Sequence, residues 1–204
     1  MAAEPTNQAN QIRTQINVDL TNRDKQTALL RIFLVIPPLI FLITFSSNVN
    51  VGIFASVGGF LFFPSLLALV FRGVYPSYCL AYNKAYLSLS NRVTAYMLLL
   101  TDQYPSIEEN SSVTLTYPEI DGGKKLSRGM PLVKWFLAIP LYVVGIIYAV
   151  VAFVLTFVAW INILLKGTYS EKTAEFVVNV IAFWNRVYGY AFMLVTDDYP
   201  SFVL

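Results

Sequence analysis

The stretch WFLAIPLYVVGIIYAVVAFVLTFVAWINILL, residues 135–165, contains no Asp, Glu, Lys or Arg. A second stretch without these residues runs from Ile32 to Phe71. The two stretches are 31 and 40 residues long, whereas a transmembrane helix needs roughly 20 apolar residues to cross a hydrocarbon core of about 30 Å. Neither length fits one ordinary spanning helix. Each stretch therefore predicts two crossings joined by a tight turn, which is a helical hairpin.

The composition of the whole chain indicates a membrane location. Of its 204 residues, 56% are hydrophobic and 13% are charged, whereas soluble domains carry about 25% charged residues. The polar start of the chain has neither the apolar core nor the cleavage site of a removable signal peptide. We therefore expect an integral membrane protein that is mainly α-helical and inserts through its first hydrophobic segment.

Several short motifs occur twice in the same order, which indicates an internal repeat. A cation followed by an apolar run that ends in Ile-Pro lies at residues 31–37 and again at 134–140. The other matched segments are 71–75 with 165–169, 91–93 with 185–187, and 101–106 with 196–201. The distance between matched residues falls from 103 to 94 because the first copy has nine extra residues. We place this insertion in the polar segment 46–52, at the tip of the first hairpin.

The motifs divide the chain into two copies of one unit, after a tail at residues 1–11 that we expect to be disordered or bound to a partner. Copy 1, residues 12–110, is predicted to contain a strand, a hairpin over 29–71 and an amphipathic helix over 75–100. Copy 2, residues 111–204, is predicted to contain a strand, a hairpin over 131–166 and an amphipathic helix over 169–195. The strands, which could pair, are indicated by alternating apolar residues: Ile16, Val18 and Leu20, and Val113, Leu115 and Tyr117.

The second hydrophobic run is short for a hairpin. Residues 132–165 would form about 51 Å of helix at about 1.5 Å per residue, and two crossings need about 60 Å before any turn. We expect this hairpin to thin the bilayer, to break at Pro140 and Gly145, or to sit as a shallow wedge. One long tilted helix is the alternative.

At these motifs the chain resembles a family of bacterial membrane proteins known as domain of unknown function 4389. The shared features are the cation-apolar-Ile-Pro segment, the Gly-x-Tyr step that begins at Gly73 and Gly167, and the Thr-Asp-x-Tyr-Pro segment. The resemblance covers almost the whole chain, twice, and implies a membrane location without an activity. The chain departs from the family pattern at the double proline Pro37-Pro38 and in the polar insert.

The distribution of cations predicts the topology. All 14 Lys and Arg residues lie outside the two uncharged stretches. By the positive-inside rule, the termini, the short strands and the linker with Lys124, Lys125 and Arg128 are cytoplasmic. We expect a multi-pass protein of the bacterial inner membrane, built as parallel repeats about an axis along the membrane normal.

The helix predicted after each hairpin is amphipathic. Its apolar face consists of Tyr82, Tyr86, Leu89, Val93 and Tyr96 in copy 1, and of Phe176, Val180, Phe183, Val187 and Tyr190 in copy 2. Its other flank is small or polar and carries Arg92 in copy 1 and Arg186 in copy 2. Such a helix fits the membrane interface. As a third span it would instead place both arginines in a bundle interior or a water-filled path.

Four cations are candidate contacts for lipid headgroups or for a polar path: Arg72, Arg92, Lys166 and Arg186. We predict no catalytic, cofactor-binding or metal-binding residues, because the chain has no His and a single cysteine, Cys79. The carboxylates Asp102, Asp197 and Asp198 come just before Tyr-Pro, where a helix stop and a turn are expected.

Three functions stay open at this point. The first is a non-enzymatic structural or accessory subunit, or a membrane-shaping scaffold, that contacts membrane lipids and assembles as a homo-oligomer or in a larger membrane complex. The second is a small oligomeric channel or transporter component, whose path is lined by Arg92, Arg186 and Asn179. The third is a lipid-binding module. A net charge of +2 with scattered cations does not indicate nucleic-acid binding.

Overall fold

A computed structural model describes residues 10–46, 59–108 and 112–204. Within these ranges the chain is mainly helical, as predicted. Its elements, in chain order, are β1 (Arg13–Ile16), α1 (Lys25–Leu34), α2 (Ile36–Ser46), α3 (Phe62–Arg72), α4 (Ser77–Met97), β2 (Val113–Thr116), α5 (Met130–Leu137), α6 (Ile139–Lys166) and α7 (Glu171–Ala191). Most of the predicted tail and of the polar insert lies outside the described residues.

The two strands form an antiparallel ribbon, in which Arg13 lies opposite Thr116 and Ile16 lies opposite Val113. β1 begins earlier than the alternation of apolar residues predicted. The ribbon packs on two helices, since β1 contacts α7 and β2 contacts α4. An isolated two-stranded hairpin is marginally stable in water at best, so these helices hold the ribbon in place.

Helices α4 and α7 lie side by side and run in opposite directions. Tyr75, just before α4, donates its hydroxyl to the carbonyl of Met193, just after α7, at 2.6 Å. In the same way Tyr169, just before α7, donates its hydroxyl to the carbonyl of Leu98, just after α4, at 3.4 Å. The start of each helix is therefore bonded to the end of the other.

Between these ends, two buried asparagines join α4 to α7. Asn91 donates its amide to Asn185 Oδ1 at 2.9 Å, and Asn185 donates its amide to Asn91 Oδ1 at 2.7 Å. The amide of Asn185 also donates to Thr14 Oγ1 in β1 at 2.8 Å. A buried amide left without partners costs about 1–3 kcal/mol. The reciprocal bonds therefore determine the register of α4 against α7.

The hairpin predicted over 131–166 is wrong. α6 is one continuous helix of 28 residues, and α5 leads into it through Ala138, whose φ of −78° and ψ of −8° remain helical. Pro140 does not break α6 because it lies in the first turn, where its missing N–H leaves no hydrogen bond unmade. Gly145 stays helical and packs closely against Phe183 and Trp184 of α7.

The two described arms of the hairpin predicted over 29–71 also run in one direction. α2 is antiparallel to α4, because Val35 at its start packs in a cluster with Tyr96, and Phe45 near its end lies 6.1 Å from Tyr82 between ring centres. If α3 is also antiparallel to α4, then α2 and α3 run in the same direction and cannot form a hairpin.

α3 is antiparallel to α4. Just before α3 begins, the backbone N–H of Leu61 donates to Asn83 Oδ1 within α4 at 2.8 Å, whereas Leu69 near the end of α3 lies in the same buried cluster as Tyr75, which precedes α4. The prediction of a hairpin over 29–71 is therefore wrong as well. In the structure α2 packs along α4, and α3 packs against α5.

Most of the exposed large apolar side chains lie on helices other than α4 and α7. This apolar layer consists of α1, α2, α3, α5 and α6, and on α6 its exposed residues include Val143, Ile146, Ile147, Val150, Phe153, Val154, Phe157, Val158 and Ile161. The segments Lys25–Phe45 and Ile139–Lys166 are long and apolar enough to cross a membrane. By length and composition, the part of the chain that the structure describes thus has two candidate membrane-spanning helices.

The close contact between α6 and α7 leads to a testable expectation. A Cβ atom at Gly145 would lie 2.7 Å from Trp184 Cζ2 and 2.9 Å from Phe183 Cε1. Gly145→Leu should therefore destabilise the fold by about 1–3 kcal/mol through overpacking, seen as a lower Tm in detergent. Gly129→Leu is the control, because nothing lies within 4 Å of that Cβ position. Equal Tm values for the two variants would show that α6 does not pack this closely on α7.

Candidate functional site

Two buried ion pairs lie where α4 and α7 end, and each joins a helix end to the apolar layer. We name them the Arg31 site and the Lys134 site. Arg31 and Lys134 are the cations of the matched cation-apolar-Ile-Pro motif, and their partners Asp102 and Asp197 belong to the matched Thr-Asp-x-Tyr-Pro motif. Both cations are almost completely buried.

In the Arg31 site, one guanidinium serves three acceptors. Arg31 donates to Asp102 Oδ1, to the carbonyl of Tyr96 at 2.7 Å and to the carbonyl of Thr101 at 3.0 Å. Its guanidinium carbon also lies 4.3 Å from the centre of the Tyr96 ring. A second guanidinium, that of Arg23, binds Asp102 through two hydrogen bonds of 2.9 and 2.7 Å. One carboxylate therefore holds two arginines.

In the Lys134 site the same contacts recur with an ammonium group. Lys134 Nζ lies 2.7 Å from Asp197 Oδ1, donates to the carbonyl of Thr196 at 2.6 Å, and lies 5.4 Å from the centre of the Tyr190 ring. The backbone N–H of Ser127 donates to Asp197 Oδ2 at 2.6 Å. The position that matches Arg23 is occupied by Leu126, so this carboxylate has one cation.

The local backbone turns each aspartate toward its cation. Leu99 and Leu194, directly after the two helices, have φ values of 63° and 58°, a left-handed conformation that ends the helix. Thr101 Oγ1 and Thr196 Oγ1 then accept the backbone N–H two residues later, at 3.2 and 3.1 Å. The Thr-Asp-x-Tyr-Pro segment is thus a helix stop and turn, and it also positions a carboxylate.

Both aspartates have a lowered pKa. Burial by itself would raise the pKa of Asp102, but the hydrogen bonds and positive charge of Arg23, with the charge of Arg31, outweigh it. Burial would likewise raise the pKa of Asp197. Hydrogen bonds from Lys134 and Ser127 outweigh this effect, so the pKa of Asp197 is also lowered. General acid catalysis at neutral pH needs a raised carboxyl pKa. These carboxylates are suited to hold cations.

Two of the predicted site residues, Arg92 and Arg186, donate hydrogen bonds to backbone carbonyls of their own chain. Arg92 Nη2 donates to the carbonyl of Ile107 at 3.3 Å, and Arg186 Nη2 donates to the carbonyl of Val203 at 2.7 Å. Both acceptors lie in the segment that follows Tyr-Pro. Each arginine therefore ties the segment after its helix back to that helix. The structure does not bring either one together with Arg72 or Lys166.

The other two predicted site residues, Arg72 and Lys166, are exposed. They are the last residues of α3 and α6, and each precedes a glycine C-cap with left-handed φ, 64° at Gly73 and 69° at Gly167. The predicted C-caps are therefore present. Because both cations lie at the ends of apolar helices, they stand at the rim of the apolar layer.

Sequence reasoning missed Arg23, Arg31 and Lys134. A signal was available, because Arg31 and Lys134 occupy one position of a matched motif while Asp102 and Asp197 occupy one position of another. Asp198 is separate from the ion pair, since it accepts from the amide of the surface residue Asn10. Among the described residues, no group of three or more Asp, Glu or Cys side chains could hold a metal ion.

A double-mutant cycle on Lys134 and Asp197 should give a large coupling energy. Lys134→Met leaves the carboxylate without its cation, and loss of one partner of a buried pair costs about 3 kcal/mol or more. The double variant with Asp197→Asn should lose less than the sum of the two single variants, as measured by denaturant unfolding in detergent. Lys125→Met is the control, because its pair with Glu119 is exposed and such pairs contribute under about 1 kcal/mol. Additive losses would mean that the pair does not form.

Stability should fall in acid. A carboxyl group with a lowered pKa in the folded state stabilises the fold fully above its ordinary pKa of 3.8. This contribution is lost as the pH falls through the lowered folded-state values, because the cations lose their partners. We expect a Tm that is constant near neutral pH and falls below about pH 4. Asp102→Asn with Asp197→Asn should flatten this dependence, and an unchanged acid slope would contradict the assignment.

Residues 130–203 match the family model described as Domain of unknown function (DUF4389). The matched range contains α5, α6, α7 and the whole ion pair of Lys134 with Asp197, whereas residues 1–129 are not matched. The chain has no significant similarity to any curated protein or to any solved structure. The family model thus supports the resemblance for the second half of the chain.

Proposed function

We propose that the protein is a non-enzymatic scaffold of the bacterial inner membrane, which inserts its apolar layer into one leaflet and keeps the β1–β2 ribbon in the cytoplasm. The observation that carries this proposal is the order of the layers. The ribbon packs on α4 and α7, and the exposed large apolar side chains are concentrated on α1, α2, α3, α5 and α6. We place these two layers on opposite sides of α4 and α7.

The proposal includes two copies of one unit, related by a two-fold axis. Residues at one matched position meet, as Asn91 bonds to Asn185, and the strands of the two copies pair antiparallel. An antiparallel pair in which a residue contacts its own match is the signature of a two-fold contact. We place the axis through the asparagine pair, between α4 and α7, from the ribbon to the apolar layer.

The position of the ribbon favours an orientation in which α4 and α7 lie parallel to the membrane surface. If α4 and α7 crossed the bilayer in opposite directions, the ribbon that packs across them would lie at the depth of the hydrocarbon core. Open sheet edges do not occur in lipid, because their backbone N–H and C=O groups would have no partners. With the axis along the membrane normal, the ribbon lies in water and the apolar layer in lipid.

This orientation favours a shallow wedge over the multi-pass topology that the uncharged stretches predicted. α6 is long enough to cross, but it packs lengthwise against α7, from Gly145 opposite Phe183 and Trp184 to the cluster that joins Ile163 with Val177. It therefore lies in the plane with α7. By the positive-inside rule, we place the basic linker on the ribbon side.

A wedge of this kind bends the membrane because it adds volume to one leaflet. Apolar helices inserted in one leaflet expand that leaflet and favour curvature, while the ribbon side remains accessible to other subunits of a larger complex. Arg72 and Lys166 at the rim are placed to contact anionic headgroups, at about 1 kcal/mol for each cation. Arg92 and Arg186 have a different task, because they bind carbonyls of their own chain.

Depth measurements along α6 test the proposal. Spin labels at Val143, Val150 and Phe157, on one exposed face of α6, should all lie at the same depth in a variant with Cys79→Ala. We expect about 5–10 Å below the headgroup boundary. A label at Thr114 in the ribbon is the control and should be in water.

Two outcomes would contradict the proposal. Depths that differ by about 20 Å between the labels at Val143 and Phe157 would show that α6 crosses the bilayer, since 14 residues of helix extend about 21 Å. The second contradicting outcome concerns vesicle diameter. A wedge at high density should reduce the diameter of the vesicles that carry it, so an unchanged diameter would contradict the proposal. Phe157→Glu should abolish that reduction by excluding α6 from lipid.

A further inference from the structure

A cavity of about 260 Å³ lies between α4, α6 and α7. Its walls are mainly apolar and include Leu87 of α4, Ala152 and Phe153 of α6, and Trp184 of α7. Along α4 the lining extends from Leu87 to Leu98, about 16 Å of helix at about 1.5 Å per residue. The cavity is therefore long rather than compact.

The two amides of the cavity are already in use. Asn91 and Asn185 are part of its lining, but their amides bond to each other and to Thr14. The other polar side chains of the lining are Ser90, Thr94 and Tyr188, among mainly apolar neighbours. The lining therefore favours a mainly apolar occupant.

The cavity opens on the apolar layer. Phe153 and Met97, which belong to its lining, are 70% and 48% exposed, and Phe153 belongs to the outer face of α6. The opening is thus continuous with the surface that the proposed function places in lipid.

We propose that this cavity binds one acyl chain of a membrane phospholipid. The inference rests on the proposed function, since it needs the apolar layer to lie in the bilayer. An apolar cavity of about 150 Å³ already excludes water and accepts apolar molecules, and an empty one forfeits dispersion contacts along its walls. A phospholipid chain fits because it is linear, apolar and abundant at the opening.

Quenching of tryptophan fluorescence by brominated acyl chains tests this inference. The chain has three tryptophans: Trp184 lines the cavity, Trp135 is exposed on α5 in the apolar layer, and Trp160 is the third. Variants that retain only Trp184 or only Trp135 are reconstituted in vesicles of phosphatidylcholine brominated in its acyl chains. We expect quenching of both.

Filling the cavity should separate the two signals. Ser90 lines the cavity, so Ser90→Leu should reduce the quenching of Trp184 and leave that of Trp135 unchanged. Ser88→Leu is the matched control, because Ser88 lies outside this cavity and lines a separate groove beside β2. Thr94→Leu is a second filling variant in case Ser90→Leu does not fold, as judged by circular dichroism.

The outcomes distinguish this inference from the proposed function. If Trp135 is quenched but Trp184 is not, or if neither filling variant reduces the quenching of Trp184, the cavity holds no acyl chain and the membrane scaffold stands. If neither tryptophan is quenched, the membrane placement itself fails. Native mass spectrometry of the wild-type protein in detergent needs no variant and should show one retained phospholipid. Quenching of Trp184 only by an added brominated fatty acid would overturn the assignment to phospholipid.

Discussion

The reciprocal amide pair between Asn91 and Asn185 is the contact on which the other layers depend. Two buried amides that bond to each other favour one register for α4 against α7, because a shift would break both bonds of the pair. That register places the ribbon, since Asn185 also binds Thr14 of β1. The same two helices pack against α2 and α6 on other faces. In the proposed orientation, the asparagine pair lies between the ribbon in water and the apolar layer in lipid.

The buried ion pairs act at the ends of the same two helices. Arg31 and Lys134 enter the apolar layer with a full positive charge, which is tolerable only because Asp102 and Asp197 stand directly opposite. The sites differ in strength, since Asp102 holds a second arginine, Arg23. The Arg31 site therefore has more hydrogen bonds to lose than the Lys134 site.

The apolar layer combines exposed helices with a cavity beside it. In water such a surface would drive association, but in a leaflet acyl chains cover it without loss. The cavity beside Trp184 extends this surface inward between α4 and α7. A chain bound there would fill the space that the two helices leave beside their amide pair, so the lipid would complete the packing of the protein.

By itself, the sequence determined the helical class, the two uncharged segments, the matched motifs, the C-caps at Gly73 and Gly167, and the helix stops before Asp102 and Asp197. Each of these depends on residues close together in the chain, so local periodicity and turn chemistry suffice. Only the tertiary structure decided the direction of the apolar helices. Length alone allows a hairpin as well as a single helix, and the choice is made by the packing of α2 along α4 and of α6 along α7. The tertiary structure also decided the ion pairs, because Lys134 and Asp197 lie far apart in sequence and meet only when α5 packs against the end of α7.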